Sequence, residues 1–243
     1  MVSAIILAGG TGARMRTKGL PKQFLSLYGK PIIIYTLETF DQCEQVDEII
    51  IPCNKDWIDH MKGLVKKFNL RKVRAVISGG SDRTMSVVNG LRAVSAISDL
   101  KEDDIVLIHD GVRPLVKEST ILENIKVARE KGNAMTVKRN IETVVVTEEQ
   151  TAHIADFKNR DNTYTLTAPQ SFRTKECLEI YENALKDPDA KIPLDTALLY
   201  GQLGREIHLV VEEGLNLKVT TPEDFYYLKS YLELQESINI LGV

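Results

Sequence analysis

Short apolar runs alternate with helix-like segments over most of the chain, and this alternation restricts the possible folds more than any other feature. The runs SAIILAG (3–9) and VDEIIIPCN (46–54) have the length of buried strands, whereas residues 56–68 carry apolar side chains at helical spacing. Strands separated by helices predict a mostly parallel sheet with helices on both faces. Because the crossovers are right-handed, we expect the carboxyl ends of the strands to meet at one edge, where such folds bind ligands.

The same criteria assign the rest of the chain, which we interpret as a single domain over residues 1–243. Further strands are predicted at 73–80, 104–114, 134–140, 207–214 and 216–221. Further helices are predicted at 31–43, 82–96, about 118–131, 174–186, 195–204 and from Thr221 onward. For the last helix, Thr221 is the predicted N-cap and Pro222 the first helical residue, the position that proline favours.

The stretch at about 139–170 interrupts the alternation with β-branched runs and turn residues. We interpret it as a β-hairpin arm that projects from the domain. A two-stranded hairpin buries little apolar surface by itself, so the arm is predicted to pack on a second copy of the chain and to form a homodimer.

Composition limits the compartment and the partners. The 243 residues carry a formal net charge of −3, which argues against a nucleic-acid partner. No basic segment precedes the first apolar run, and no window approaches the roughly 18 apolar residues of a membrane span, so we expect neither a signal peptide nor a membrane partner. Three widely spaced cysteines match no metal or redox motif, which favours a reducing, cytoplasmic location.

The stretch IILAGGTGARMRTKGLPKQFL (5–25) follows the first strand with a glycine turn and a cluster of cations. A glycine turn lets backbone N–H groups approach an anion closely. The Walker A pattern is absent, and Met15 stands where a dinucleotide fingerprint needs its third glycine. Arg14 and Lys22, the latter presented by the stiff Pro21, then predict a grip on a polyphosphate. For Arg16 and Lys18 we favour a solvated surface.

Several blocks, in order, resemble the nucleotidyltransferases that join CTP to a sugar-alcohol phosphate. The blocks are LAGGTGARM with LPKQFL, SGGSDRTMSVVNGL, HDGVRP, TAPQSF, LDTALL and NLKVTTPED, and they extend from residue 3 to about 230. The resemblance implies a three-layer, Rossmann-like α/β fold of the GT-A-like kind, with a mostly parallel sheet and a projecting β-hairpin dimerisation arm. It also implies small-molecule substrates, CTP and a polyol phosphate, with Mg²⁺ as cofactor.

Two branches of this family fit the motifs. LAGGTG, HDGVRP and FKNRDNTY look closer to the branch that acts on ribitol 5-phosphate for teichoic acid or capsule synthesis. The alternative is the isoprenoid branch, which acts on 2-C-methyl-D-erythritol 4-phosphate. Ala168 and Leu194 depart from residues common in the family and leave room for another polyol phosphate. An alternative of another class is a non-catalytic nucleotide-binding subunit, and a ribulose-phosphate reductase is a possible partner of the ribitol branch.

The resemblance assigns the nucleotide side of the site residue by residue. Arg14 and Lys22 would clamp the triphosphate, and Asp110 would hold the metal. Arg83 would support the loop of the SGGSDRT block, touch phosphate, or form an ion pair with Asp82 or another acid. The remaining residues implied in nucleotide binding are Leu7, Ala8, Gly9, Gly10, Gly80, Ser81, Ser86 and Gly111.

The acceptor side is implied in the same way. Lys218 would place the attacking phosphate, and Arg160 would hold it from the arm, in one chain or across the dimer. Thr143 would contact the same substrate, and Arg113 would orient the arm or the substrate. Asp195 would bond polyol hydroxyls or cap a helix. His109 points away from Asp110 on a strand, so we predict a packed core histidine there.

Overall fold

The computed structural model describes residues 1–10, 12, 15, 19–147 and 154–241. The strands are β1 (Val2–Leu7), β2 (Ser26–Leu27), β3 (Lys30–Pro31), β4 (Glu48–Cys53), β5 (Val73–Ser78), β6 (Ile105–Asp110), β7 (Asn133–Arg139), β8 (Val144–Thr147), β9 (Ile154–Lys158), β10 (Tyr164–Arg173) and β11 (Leu209–Val211). The helices are α1 (Ile32–Gln42), α2 (Ile58–Lys67), α3 (Arg83–Ile97), α4 (Glu118–Lys131), α5 (Thr174–Lys186), α6 (Thr196–Gln202) and α7 (Pro222–Leu241).

Seven strands form the central sheet in the order β11-β7-β10-β6-β1-β4-β5. The pairs β1–β4, β1–β6, β4–β5 and β7–β11 are parallel, whereas β10 is antiparallel to both of its neighbours. The predicted α/β fold with a mostly parallel sheet is confirmed. The antiparallel β10 enters the sheet from the hairpin, without the helical crossover that a parallel strand requires.

Successive residues of the central strands face opposite sides of the sheet and supply two hydrophobic cores. In β1, Ala4 and Ile6 pack in one core, together with side chains of α1, α2 and α4. Ile5 packs in the other core, with side chains of α3, α5 and α6. Strands buried on both faces are the reason that these runs are almost continuously apolar.

The carboxyl ends of the central strands lie at one edge, as the sequence predicts. Leu7, the last residue of β1, is in register with Asp110, the last residue of β6. On the other side of β1, Ala8 forms a bridge to Cys53 at the end of β4, and the Gly79 N–H donates to the Cys53 carbonyl. The loops that follow β1, β5 and β6 therefore start side by side.

The 139–170 region differs in extent from the predicted arm. β8 and β9 form a two-stranded antiparallel hairpin, and their residues are largely exposed. Residues 164–170, which we assigned to the arm, belong to β10, and residues 164–166 and Gln170 pair with β7 inside the central sheet. The sequence did not separate β10 from the hairpin because β-branched strands and turns have the same pattern whether a strand pairs in a hairpin or in the main sheet.

The strand predicted at 216–221 is wrong. Residues 215–220, all within the described part of the chain, form no strand. Their hydrogen bonds run instead to single residues, such as the Val219 N–H that donates to the Val112 carbonyl. The described residues also include no helix long and apolar enough to cross a membrane.

Candidate active site

A cavity of about 370 Å³ opens at the sheet edge where β1 and β6 end. It is lined by Leu7, Ala8, Gly9, Gly10, Lys22, Gln23, Gly80, Ser81, Asp82, Arg83, Ser86, Asp110, Val112 and Lys218. The structure thus brings together residues from four distant blocks of the sequence. Those that sequence reasoning did not assign to the site are Gln23, Asp82 and Val112.

The glycine turn after β1 is held by a buried amide. Gln23 is almost fully buried, and its Nε2 donates to the carbonyls of Ala8 at 2.8 Å and Gly10 at 3.0 Å. Gly12, at φ +73°, packs so tightly that a Cβ would lie 2.8 Å from the backbone nitrogen of Lys22. These contacts join the turn to the segment that carries Lys22. Gln23 directly follows Lys22 in the LPKQFL block, and this position beside a predicted site residue is the sequence feature that could have indicated its role.

The loop between β5 and α3 closes the cavity on another side. Ser86 Oγ accepts a hydrogen bond from the Gly80 N–H at 3.0 Å and donates to the Asp82 carbonyl at 2.8 Å. The Asp82 side chain caps α3 by accepting from the Met85 N–H. A Cβ on Gly80 would lie 2.2 Å from the Met85 Cβ, so only glycine fits there. The Ser86 hydroxyl donates its single proton within this loop, and its oxygen can accept one further hydrogen bond.

Asp110 is the electrostatic centre of the site. Its Oδ2 accepts from Arg113 Nε at 2.9 Å and lies 3.1 Å from Lys218 Nζ, and Arg83 Nε lies 4.0 Å from Oδ1. Burial raises the pKa of the Asp110 carboxyl, but the charges of Lys218, Arg113 and Arg83 outweigh burial and hold the pKa well below its ordinary value. The carboxylate is therefore ionised at neutral pH and organises three cations.

Lys22 reaches the cavity from the LPKQFL block. Its Nζ donates to the Val219 carbonyl at 2.8 Å, next to Lys218 in sequence. The two lysines come from blocks almost 200 residues apart, and both line the cavity because Lys22 binds the carbonyl of Val219, the residue after Lys218. Such converging cations suit an oligophosphate, since each can stabilise separate phosphate oxygens.

Arg83 and Asp195 serve roles that the sequence left open. Arg83 Nη1 donates to the Leu194 carbonyl at 2.8 Å, and its Nε lies 4.0 Å from Asp110 Oδ1, so the predicted ion pair is made with Asp110 rather than with Asp82. Asp195 caps α6 by accepting from the Ala197 N–H, and both of its carboxylate oxygens also accept from Gln170 Nε2. The structure thus shows the helix cap, and a contact of Asp195 with polyol hydroxyls stays a prediction.

Several predicted residues do not line the cavity. Gly111 supports it from behind, because its N–H donates to the Leu7 carbonyl and a Cβ there would lie 2.9 Å from that oxygen. Arg113 lies behind Asp110. Thr143 and Arg160 are exposed on the arm, outside the cavity of their own chain. Arg14, Arg16 and Lys18 lie outside the described residues.

His109 is a core residue, as its position before Asp110 predicts. It is fully buried, its ring centroid lies 5.1 Å from that of Phe40, and Nε2 is 3.3 Å from the Arg113 carbonyl. Burial lowers the pKa of the imidazole to about 4. The side chain is therefore neutral at physiological pH and faces away from the cavity.

The fold and the cavity together define a class: an α/β protein with a cavity, lined by glycines and cations, at the carboxyl ends of its strands, where such folds bind nucleotides. A model of the family described as 2-C-methyl-D-erythritol 4-phosphate cytidylyltransferase (IspD) matches residues 2–234. The chain belongs to this cytidylyltransferase family.

Individual relatives cover nearly the whole chain. A protein named ribitol-5-phosphate cytidylyltransferase from Streptococcus agalactiae serotype III (strain NEM316) is 41% identical over 98% of both chains. A protein of the same name from Vibrio parahaemolyticus serotype O3:K6 is 36% identical over 98% of this chain and 99% of its own. The solved structure of 4-diphosphocytidyl-2C-methyl-D-erythritol synthase from Anaerococcus prevotii superposes with a TM-score of 0.81, at 29% identity over 96% of both chains.

Proposed function

We propose that the protein joins CTP and D-ribitol 5-phosphate to give CDP-ribitol and pyrophosphate. Relatives named for this activity are 36–41% identical over nearly the full chain, and they support the choice of acceptor. The observation that carries the chemistry is the convergence of Lys22 and Lys218 on one cavity beside the ionised Asp110.

In this reaction a phosphate oxygen of ribitol 5-phosphate attacks the α-phosphorus of CTP. A new P–O bond forms as the bond to the β-phosphate oxygen breaks, and pyrophosphate leaves with the electron pair. The attacking phosphate is already an anion at neutral pH, so no general base has to remove a proton. Catalysis then consists of positioning the reactants and neutralising charge at the α-phosphorus.

The described residues divide this work between two ends of the cavity. Backbone groups of Leu7, Ala8, Gly9 and Gly10 face the base and ribose, and the retained acceptor capacity of Ser86 Oγ suits the amine of cytosine. Lys22 exchanges the Val219 carbonyl for a phosphate oxygen, which is a stronger, charge-assisted bond. Arg14 remains its predicted partner on the triphosphate.

On the acceptor side, Lys218 is proposed to bind the phosphate of the polyol. In the free protein it lies against Asp110, which holds the ammonium group at the cavity and balances its charge. Arg160 and Thr143, on the arm, are proposed to reach the acceptor, whereas Arg113, behind Asp110, is proposed to orient the substrate from there. Because the arm residues are exposed and outside the cavity of their own chain, contribution across a homodimer accounts for their position better than action in one chain.

Asp110 also fits Mg²⁺ as a single protein ligand. Its Oδ1 accepts no hydrogen bond from the described residues, and Mg²⁺ commonly combines one carboxylate with phosphate oxygens and waters. The described residues include no larger cluster of His, Cys, Asp and Glu that would hold a metal by itself. When bound, Mg²⁺ would neutralise charge on the phosphates of CTP.

The biological setting follows from the proposed product. CDP-ribitol supplies teichoic acid or capsule polymers, and a reductase acting on a ribulose phosphate is the kind of partner that would supply the acceptor. A cytoplasmic location remains our prediction, and the described structure agrees with it to the extent that Cys43, Cys53 and Cys177 are all unpaired.

The proposal is tested by measuring pyrophosphate release with CTP and each of ribitol 5-phosphate, 2-C-methyl-D-erythritol 4-phosphate and glycerol phosphates. We expect kcat/KM to be highest for ribitol 5-phosphate. A preference for methylerythritol phosphate would move the protein to the other branch, which the family description favours. CTP binding without turnover on any acceptor would instead indicate a non-catalytic nucleotide-binding subunit.

A further inference from the structure

The segment that carries Lys218 is held in place by an unusual set of contacts. Residues 215–220 belong to no strand, so no sheet ladder fixes their backbone. Within this segment Asn216 is buried to all but 6% of its surface, although it is polar. A buried amide in an irregular segment needs a structural reason, because burying it costs free energy unless it is hydrogen-bonded.

The side chain and the backbone of Asn216 bind in two different directions. Its Nδ2 donates to the carbonyl of Ala168, a fully buried residue of β10 in the central sheet. Its backbone carbonyl accepts from Arg113 Nη1 at 2.9 Å. Asn216 therefore joins the irregular segment both to the sheet and to the arginine behind the cavity.

Arg113 transmits this anchorage to the acidic centre of the site. While Nη1 binds Asn216, Nε of the same guanidinium donates to Asp110 Oδ2 at 2.9 Å. Lys218, two residues after Asn216, places its Nζ 3.1 Å from that same oxygen. The backbone of Asn216 and the side chain of Lys218 thus belong to one closed loop of contacts through Asp110.

We propose that Asn216 is a positioning residue for the transfer reaction, which sets the place of Lys218 and Arg113 on Asp110 without touching a substrate. This inference rests on the proposed function, because a positioning role presupposes that Lys218 takes part in the transfer reaction. Loss of the side-chain amide frees the segment from β10, so Lys218 leaves its place on Asp110 more often. A displacement of about 1 Å at a positioning group can reduce turnover about 100-fold.

A matched control exists in the same protein. Asn133, at the start of β7, is equally buried at 6%, and its Nδ2 donates to the Glu206 carbonyl at 2.9 Å while its Oδ1 accepts from the His208 N–H. It makes the same kind of buried amide–carbonyl contact, and neither Asn133 nor its two partners line the cavity. Asn133→Ala therefore reports the general cost of losing a buried amide.

The test compares Asn216→Ala, Asn216→Asp and Asn133→Ala in the full-length protein. For Asn216→Ala we expect kcat/KM for the acceptor to fall about 10- to 100-fold while KM for CTP changes less than about twofold. Asn216→Asp keeps the shape but places an acceptor against the Ala168 carbonyl, so we expect a loss at least as large. Asn133→Ala should leave both kinetic values within about twofold of the unsubstituted protein, even where it lowers Tm.

A second readout does not depend on turnover. Lys218 is acylated with an amine-reactive ester and the rate is followed by mass spectrometry of its peptide. Because Asp110 holds Lys218, we expect acylation to be several-fold faster in Asn216→Ala and unchanged in Asn133→Ala. Equal kinetic losses in the two alanine variants, or an unchanged acylation rate, would overturn the proposal. An unsubstituted protein that ignores ribitol 5-phosphate would refute the proposed acceptor alone, because the acylation rates would still report on Asn216.

Discussion

Two neighbouring residues of β6 show how one strand serves both the core and the site. Asp110 faces the cavity, and three cations keep its carboxylate ionised despite burial. His109 faces the opposite side of the sheet, where it is fully buried and packs beside Phe40. The alternation of side chains along a strand separates the two groups, so adjacent titratable residues acquire opposite environments.

This difference predicts a pH dependence of stability. The pKa of His109 is about 4 in the folded protein and about 6.5 in an unfolded chain, so the unfolded state binds the proton more strongly. The stability contribution is therefore present above pH 6.5 and is lost as the pH falls toward 4. Between pH 7 and pH 4.5 we expect His109 to account for a loss of about 2 kcal/mol in the free energy of unfolding, measured by urea denaturation.

The variant His109→Gln should lack this component, so its free energy of unfolding should fall less between the two pH values. His60, an exposed histidine, provides the control, and His60→Gln should lose as much as the unsubstituted protein. Asp110 does not affect the comparison between pH 7 and pH 4.5, because its pKa is lowered in the folded protein and its contribution to stability is lost only below about pH 4. Identical pH slopes for His109→Gln and the unsubstituted protein would contradict the prediction.

At the scale of elements, α7 begins directly after the irregular segment that carries Lys218. Asp224 closes this junction, since its Oδ2 accepts from the N–H groups of both Thr220 and Thr221 at 2.8 Å. Pro222 follows as the first helical residue, where its missing N–H costs nothing. The helix N-terminus thus fixes the end of a segment that no sheet ladder holds.

Removal of this cap is expected to destabilise the protein. Asp224→Ala leaves two N–H groups of the junction without their acceptor, and loss of a helix cap commonly costs about 1 kcal/mol. Urea denaturation at pH 7 measures the change. Asp99→Ala, at an exposed position, should stay within about 0.5 kcal/mol of the unsubstituted protein, and an equally small effect of Asp224→Ala would count against the capping role.

At the scale of the whole molecule, the hairpin of β8 and β9 carries apolar side chains that a single chain leaves exposed. Its apolar side chains Val145, Val146, Ile154 and Phe157 are 41–65% exposed. An isolated two-stranded hairpin is marginal in water, and exposed apolar side chains on one element are typical of an interaction surface. A second copy of the chain is the predicted partner, which would also bring Arg160 toward another cavity.

Sedimentation analysis tests this arrangement. We expect the protein to have the mass of a dimer and Phe157→Glu to shift it toward the monomer, because the charge would have to be buried in the contact. Tyr226 on α7 is equally exposed, at 68%, and Tyr226→Glu should leave the mass unchanged. A monomeric unsubstituted protein would refute the arm-mediated dimer.

Local sequence patterns predicted most of the fold because they arise from short-range physics. Strand and helix periods, a proline at the start of a helix and glycines after strands depend on neighbouring residues alone. Parallel strands then bring their ends to one edge by topology, which is why Gly9, Gly80 and Asp110 were predicted to share a site and do line one cavity. The separate roles of these residues in binding and transfer remain predictions.

The sequence by itself therefore determined the α/β fold, the edge of the sheet where the cavity lies and most of the residues around the cavity. Only the tertiary structure decided that residues 164–170 belong to a strand of the central sheet, that 216–221 form no strand, and that Asp195 caps a helix. The same holds for Gln23 under the glycine turn and Asn216 behind Lys218. Apart from the local cap made by Asp195, each of these depends on contacts between residues distant in the chain, and such contacts are set by distance and orientation in the folded molecule, which no local pattern encodes.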